Sequence, residues 1–158
     1  MKITTKSIVK IGLIAAVYAA ITISIAPISY GLIQFRVSEV MTLLAFVDPI
    51  YIPGLVLGCV ISNMFSSLGI IDIVVGSTAT FISVYMISKS KNLFIASIWP
   101  TVINGLFIGA EIHFVLNQPF LISSLYVAMG EFCVVTLIGY PLFKFILNKK
   151  FIVKILKV

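Results

Sequence analysis

The stretch Asn92–Gln118, NLFIASIWPTVINGLFIGAEIHFVLNQ, decides the fold. Its apolar run, Leu93 to Leu116, exceeds the roughly 20 residues a helix needs to cross the hydrocarbon of a bilayer. Yet the run carries an acid, Glu111, about 27 Å from its first residues at 1.5 Å per residue. A charged group near the bilayer centre costs at least about 2.5 kcal/mol on insertion scales, so the placement of an acid here carries information. Asn104 and Glu111 stand about two helical turns apart and project from nearly the same face. Gly105 and Gly109 form a small-xxx-small pair that lets a neighbouring helix approach closely, and Pro100 frees a backbone carbonyl one turn earlier. A helix with polar groups stacked along one face is a candidate cavity wall. His113 points elsewhere and reads as a polar contact near the surface, and Trp99 as an anchor or packing residue.

The rest of the chain has the same character. Its 158 residues are 61% hydrophobic and only 10% charged, with a mean hydropathy of +1.22, whereas soluble domains are roughly half apolar. This composition predicts an all-α integral membrane protein, a single transmembrane domain over residues 1–158 with short loops. Turn and charge signals divide it into six apolar pieces. The first runs from about Ser7 to Ile28. Although its basic start resembles a signal peptide, the run is long enough to span and is expected to be retained as a helix. The others run from about Ser38 to Phe46, Ile50 to Leu68, Ile70 to Ile87, Leu93 to Leu116 and Phe120 to Leu147. The second is short for a span and ends at Asp48-Pro49, because the residue before a proline disfavours helix.

Six crossings place both termini on one side, and the basic residues agree. Of the 11 Lys and Arg residues, Arg36 alone falls on the opposite side. Lys2, Lys6, Lys10, Lys89, Lys91, Lys144, Lys149, Lys150, Lys154 and Lys157 all fall with the termini. The positive-inside rule therefore predicts six transmembrane helices with cytoplasmic N and C termini. The tail KKFIVKILKV reads as a short basic amphipathic segment on the membrane surface.

This topology assigns a depth to each acid. Arg36 and Glu39 open the second helix at the outer surface. Asn63 lies near the outer end of the third helix, Asp72 near the outer start of the fourth, and Glu111 in the outer half of the fifth. Glu131 lies about 16 Å into the sixth. Only Asp48 falls in an inner turn. Polar groups from five segments thus converge on the outer half, as an outward-facing binding cavity requires. The alternative, that Arg36, Glu39 and Asp72 merely meet water or headgroups at helix ends, stays open. In the first helix Ala15, Ala16, Ala19 and Ala20 make a smooth surface, either for internal packing or for docking a partner subunit.

Several chemistries are excluded. There is no G-x-x-x-x-G-K-[ST] loop, and GSTAT lacks its lysine, so a pump built on this chain must take its energy from a partner or an ion gradient. One His and two distant cysteines make a catalytic zinc site improbable, and no nucleophile elbow occurs. Cys59 and Cys133 are expected to be reduced packing residues, and the formal charge of +6 reports topology rather than nucleic-acid binding. No metal or cofactor is expected.

The segments FRVSEVMTLLAF, IPGLVLGCVISNMF, DIVVGSTATFIS and AMGEFCVVTLIGYPL resemble the QueT family of queuosine-precursor transporters, substrate-binding S components of energy-coupling factor (ECF) transporters. The resemblance covers about Gln34 to Leu142. It implies a plasma-membrane protein with six helices and an outward-opening pocket. It also implies partners, a transmembrane coupling subunit and two ATPases, and docking through an alanine-rich first helix. The implied substrates are 7-deazaguanines or queuine. A carboxylate can accept from the N1 hydrogen and exocyclic amine of such a base, and an Asn amide can donate to O6. Glu111 and Glu131 are expected to divide the base edge and the cationic amine, with Asn104 orienting the base and Asn63 or Asp72 at the rim. Arg36 and Glu39, at i and i+3, can pair with each other and fix the outer loop and second helix as a lid. Two alternatives remain: an S component or solitary transporter for another vitamin-like solute, and a small intramembrane enzyme using Glu111 and Glu131 as an acid/base pair.

Overall fold

A computed structural model describes residues 4–31 and 33–157. Lys2, counted above with the basic residues of the termini, lies outside the described residues. Four helices are long and apolar enough to cross a membrane: α1 (Thr5–Ser24), α4 (Ile70–Lys89), α5 (Leu93–Leu116) and α6 (Phe120–Leu147). Two shorter apolar helices, α2 (Val37–Val47) and α3 (Pro49–Asn63), lie between α1 and α4. A terminal helix, α7, covers Lys150–Leu156. No strand occurs among the described residues.

Local chemistry sets most of the boundaries. Thr4 caps α1 with a reciprocal capping box, its hydroxyl accepting from the Ser7 amide at 3.2 Å and the Ser7 hydroxyl accepting from the Thr4 amide at 3.3 Å. The apolar run continues to Ile28, but α1 stops at Ser24 and Ala26–Ser29 forms a separate turn. Pro27 cannot donate to Ile23, and its ring crowds that carbonyl. At the other end of the fold, Asn92 caps α5 by accepting from the Phe94 amide at 2.8 Å. Asn117 closes the same helix in the left-handed region at φ 53°.

The second helix departs most from sequence expectation. Val37–Leu43 winds as a 3-10 helix and only Leu44–Val47 as α. The Thr42 hydroxyl donates to the Glu39 carbonyl at 2.6 Å, a contact one tight turn back. A 3-10 helix rises about 2.0 Å per residue against 1.5 Å for an α-helix, so α2 reaches about 20 Å with few residues. Asp48, extended before Pro49, then starts α3 by accepting from the Ile50 amide at 3.0 Å.

Small residues bring the helices together. Gly105 and Gly109 of α5 face Ala128 and Ser124 of α6, so the small-xxx-small pair read from sequence meets a second one. A Cβ at Gly109 would stand 2.6 Å from the Ser124 Cα, closer than packed atoms come. The α1–α3 crossing is equally tight, since a Cβ at Gly58 would lie 2.8 Å from the Tyr18 Cβ. Within α6, a π-helical stretch, Phe132–Gly139, begins immediately after Glu131. There the Thr136 hydroxyl reaches across to the Ser97 carbonyl of α5 at 3.0 Å.

Burial divides the bundle into two halves. Leu43, Leu44, Leu55, Val84, Ile87, Ala96, Val135 and Phe143 form a dry core at the end that holds the termini. Lys10 of α1 donates to the carbonyls of Ile155 (2.6 Å) and Lys157 (3.2 Å), so the start of α1 and the end of α7 lie together. Trp99 anchors the α4–α5 turn at this end by donating to Ser90 at 3.0 Å, and Cys59 and Cys133 are free thiols. In the opposite half the interior is largely polar.

Candidate functional site

The polar half takes one or more side chains from each of α1 to α6. Arg36 precedes the first turn of α2 and is 4% exposed. Its guanidinium donates to the Asn63 side-chain oxygen at 2.7 Å and to the Ser62 hydroxyl at 3.4 Å, tying the segment before α2 to the end of α3. Asn63 in turn donates to the backbone carbonyl of Asp72 at 2.9 Å, tying α3 to α4. Glu39 accepts from the Tyr18 hydroxyl of α1. Deeper in the bundle, Asn104 of α5 donates to Glu131 of α6 at 2.7 Å. Glu131 lies within electrostatic reach of Glu39 and Arg36, and Glu111 within reach of Asp72 and Arg36. All seven residues singled out from the sequence are buried.

What distinguishes the cluster is incomplete pairing. Arg36 Nε, one oxygen each of Glu39, Asp72, Glu131 and Asn104, and both oxygens of Glu111 have no hydrogen-bond partner among the described residues. Each unsatisfied buried polar atom costs about 1–3 kcal/mol. A cluster of this composition can bind a solute rich in N–H donors that also offers an acceptor, because the six unpaired oxygens then gain donors and Arg36 Nε an acceptor. Among the described residues, no group of three or more His, Cys, Asp or Glu is arranged to hold a metal ion.

Three expectations need correction. Arg36 and Glu39 lie within electrostatic reach but do not bond to each other: the Arg36 side chain crosses to α3 and the Glu39 side chain to α1. Arg36 precedes the helix with φ −89° and ψ 89°, so helical i, i+3 spacing does not apply to it. Asn63 and Asp72 are not at a rim, being 0% and 2% exposed; Asn63 is enclosed between Arg36 and the Asp72 carbonyl, and both side chains lie against Gly76 of α4. Finally, the four alanines of α1 do not share one face. Ala15 and Ala19 pack inward on the stripe with Tyr18 and Thr22, while Ala16 and Ala20 are exposed. Successive helical residues differ by about 100°, so one pair faces α3 and the other faces outward.

Sequence reading missed Tyr18, Thr22, Ser38 and Ser62. The Thr22 and Ser38 hydroxyls bond at 2.6 Å beside Glu39. The signal for the α1 members was present: Ala15, Tyr18, Ala19 and Thr22 recur at the spacing of one buried helix face.

Two features border the cluster. The segment before α2 presses on α6 at Gly130, where any Cβ would run into the Ile33 carbonyl; this places that segment against the residue preceding Glu131. On the other side, Glu111 is the only ionisable residue among the described residues that line a cleft of about 610 Å³ between α4 and α5, otherwise walled by apolar groups such as Val75, Leu106 and Phe114. The exposed Leu106 and Phe114 open that cleft to the bundle perimeter.

Four apolar helices of membrane length, closed with two shorter ones around a buried, incompletely paired polar cluster, make up a helical protein of membrane-spanning type. The chain belongs to the QueT transporter family, whose model matches residues 8–148, and this is a family of transporters, not of enzymes. It is 36% identical to the queuosine precursor transporter QueT of Lactococcus lactis subsp. cremoris (strain MG1363), over 83% of this chain and 86% of that protein. No solved structure matches.

Proposed function

We propose that the chain is the substrate-binding S component of an ECF importer, spanning the plasma membrane six times with both termini in the cytoplasm. On this reading it takes up a 7-deazaguanine precursor of queuosine or queuine itself from outside. The single observation that carries the reading is the buried cluster of Arg36, Glu39, Asn63, Asp72, Asn104, Glu111 and Glu131, at the end of the bundle away from the termini, with seven of its polar atoms lacking partners. The L. lactis relative supplies the solute class.

The chemistry fits that class. A deazaguanine presents an N1 hydrogen and an exocyclic amine side by side, a donor pair that one carboxylate accepts in a bidentate manner. Glu131, held by Asn104, is assigned that edge, and Asn104 orients the base. Glu111, with both oxygens unpartnered, is assigned any cationic amine the solute carries. Asn63 and Asp72 bound the site and hold Arg36. The segment before α2, seated on Gly130 and tied down by Arg36, acts as the lid. Energy comes from a coupling subunit and two ATPases, for which the exposed Ala16 and Ala20 side of α1 is the docking surface.

The test is calorimetric titration of the purified chain with a panel of deazaguanines and queuine, with guanine and unrelated vitamins as controls, followed by copurification with coupling subunits. Saturable binding of a deazaguanine and recovery of a stoichiometric complex are expected. Binding of a vitamin but no deazaguanine would refute the assigned solute, and binding without any associating subunit would refute the S-component role.

A further inference from the structure

The terminal helix α7 is unused by the proposed transport site. It is seven residues long, with no buried residue, yet its position is pinned. Lys10 donates to the carbonyls of Ile155 and Lys157, and the Tyr51 hydroxyl donates to the Leu156 carbonyl at 2.5 Å. These are the carbonyls left free at a helix C-terminus, where a cation is favourable. Leu156 packs against the dry core. Its other faces point away from the protein: Phe151 is 75% exposed and Ile155, one turn on, is 55% exposed. Lys150 and Lys154 occupy the neighbouring exposed stripe.

The surface continues beyond α7. At the same end, Lys89 sits over the Tyr85 ring at 5.5 Å, Lys144 over Tyr140 at 5.7 Å and Lys149 over Phe145 at 5.2 Å. In each pair an aromatic ring precedes the lysine by about one helical turn, and Tyr85 and Phe145 are themselves exposed on the perimeter. Rings and lysines in this arrangement are what an apolar–polar boundary selects. Acids are nearly absent here, since Asp48 in the α2–α3 turn is the one acid at this end among the described residues.

We propose that α7 is an interfacial anchor that binds the anionic headgroups of the membrane leaflet on the side of the termini, with Phe151 and Ile155 in the acyl boundary and Lys150 and Lys154 on the headgroup phosphates. Charge decides for a lipid occupant: a stripe of lysines with almost no acid beside it, at the same end as the lysine–aromatic pairs of α4 and of the end of α6, complements a negative leaflet. The Lys10 and Tyr51 contacts hold the helix flat on that leaflet.

The test places a tryptophan reporter, F151W, in the full chain reconstituted into vesicles. The vesicles mix phosphatidylcholine and phosphatidylglycerol, with bromine on the acyl chains of one lipid at a time. The parent chain supplies the background from Trp99. Each lysine near an anionic surface favours the charged lipid by about five-fold. Quenching by brominated phosphatidylglycerol should therefore exceed quenching by brominated phosphatidylcholine by at least about three-fold at low salt. That preference should fall to parity in K150Q/K154Q and in high salt, while quenching itself persists. I155W reports the same face independently, should F151W disturb the helix. Equal quenching of F151W by the two lipids with Lys150 and Lys154 both present would overturn the headgroup selection. Absence of quenching by either would mean that the face is covered by protein or stands in water, and would overturn the anchor altogether. Neither result bears on deazaguanine binding.

Discussion

Asn104→Ala isolates the link that sets the proposed base site. In the ligand-free chain the Asn104 amide donates to one Glu131 oxygen at 2.7 Å, and the other Glu131 oxygen has no partner. Removing the amide leaves a carboxyl that is 1% exposed with neither oxygen satisfied. A buried acceptor stripped of its donor costs about 1–3 kcal/mol, so the ligand-free protein should unfold more readily. Because that bond already exists without solute, Kd changes only by what Asn104 adds on binding; if it bonds the base beside the edge that Glu131 accepts, the loss is about 1–1.5 kcal/mol. That corresponds to about a five- to 13-fold rise in Kd. The diagnostic measurement is a double-mutant cycle with Glu131→Gln, read by calorimetry in detergent. Because the two residues act as one unit, Asn104→Ala/Glu131→Gln should bind little worse than Glu131→Gln alone, a coupling of at least about 1 kcal/mol. Strict additivity would mean that Asn104 and Glu131 act on the solute separately. Parent-like binding by both single variants would remove this pair from the site.

Other perturbations test the scaffold. Gly58→Leu forces a side chain into the α1–α3 crossing, where even a Cβ would lie 2.8 Å from the Tyr18 Cβ; overpacking of this kind costs about 1–3 kcal/mol, read as a lower unfolding temperature. Tyr18→Phe leaves Glu39, which is 0% exposed, without its hydroxyl donor, and should destabilise the chain by about 1–3 kcal/mol in thermal unfolding, with little change in helix content by circular dichroism. Ala16→Trp and Ala20→Trp, on the exposed side of α1, should leave stability and solute binding at parent levels while abolishing copurification with a coupling subunit. Ala15→Trp and Ala19→Trp, on the buried stripe, should instead fail as folded proteins in size-exclusion chromatography. If the two pairs behave alike, the assignment of faces on α1 is wrong.

Much of the architecture was legible because membrane insertion is governed by local quantities. The apolar runs Leu93–Leu116 and Phe120–Leu147 coincide with α5 and α6, since run length and the turn residues between them suffice to place those helices. The Gly105/Gly109 contact was readable for the same reason, because small residues one turn apart make a groove whatever fills it. That the acids singled out would be embedded among apolar helices was readable too, and Glu39, Asp72, Glu111 and Glu131 are all buried. The partners did not. Arg36 is close in sequence to Glu39 but bonds to Asn63 on another helix, Glu39 turns to Tyr18, and of Ala15 and Ala16, adjacent in the chain, one is buried and the other exposed. Those outcomes depend on how each helix is rotated about its own axis and on how tightly it winds, which the 3-10 segment of α2 changes locally. Rotation and winding are set by the packing of all neighbours at once. The chain alone therefore determined that ionisable groups would lie within a body of apolar helices, and the tertiary packing decided which of them meet and which remain unpaired.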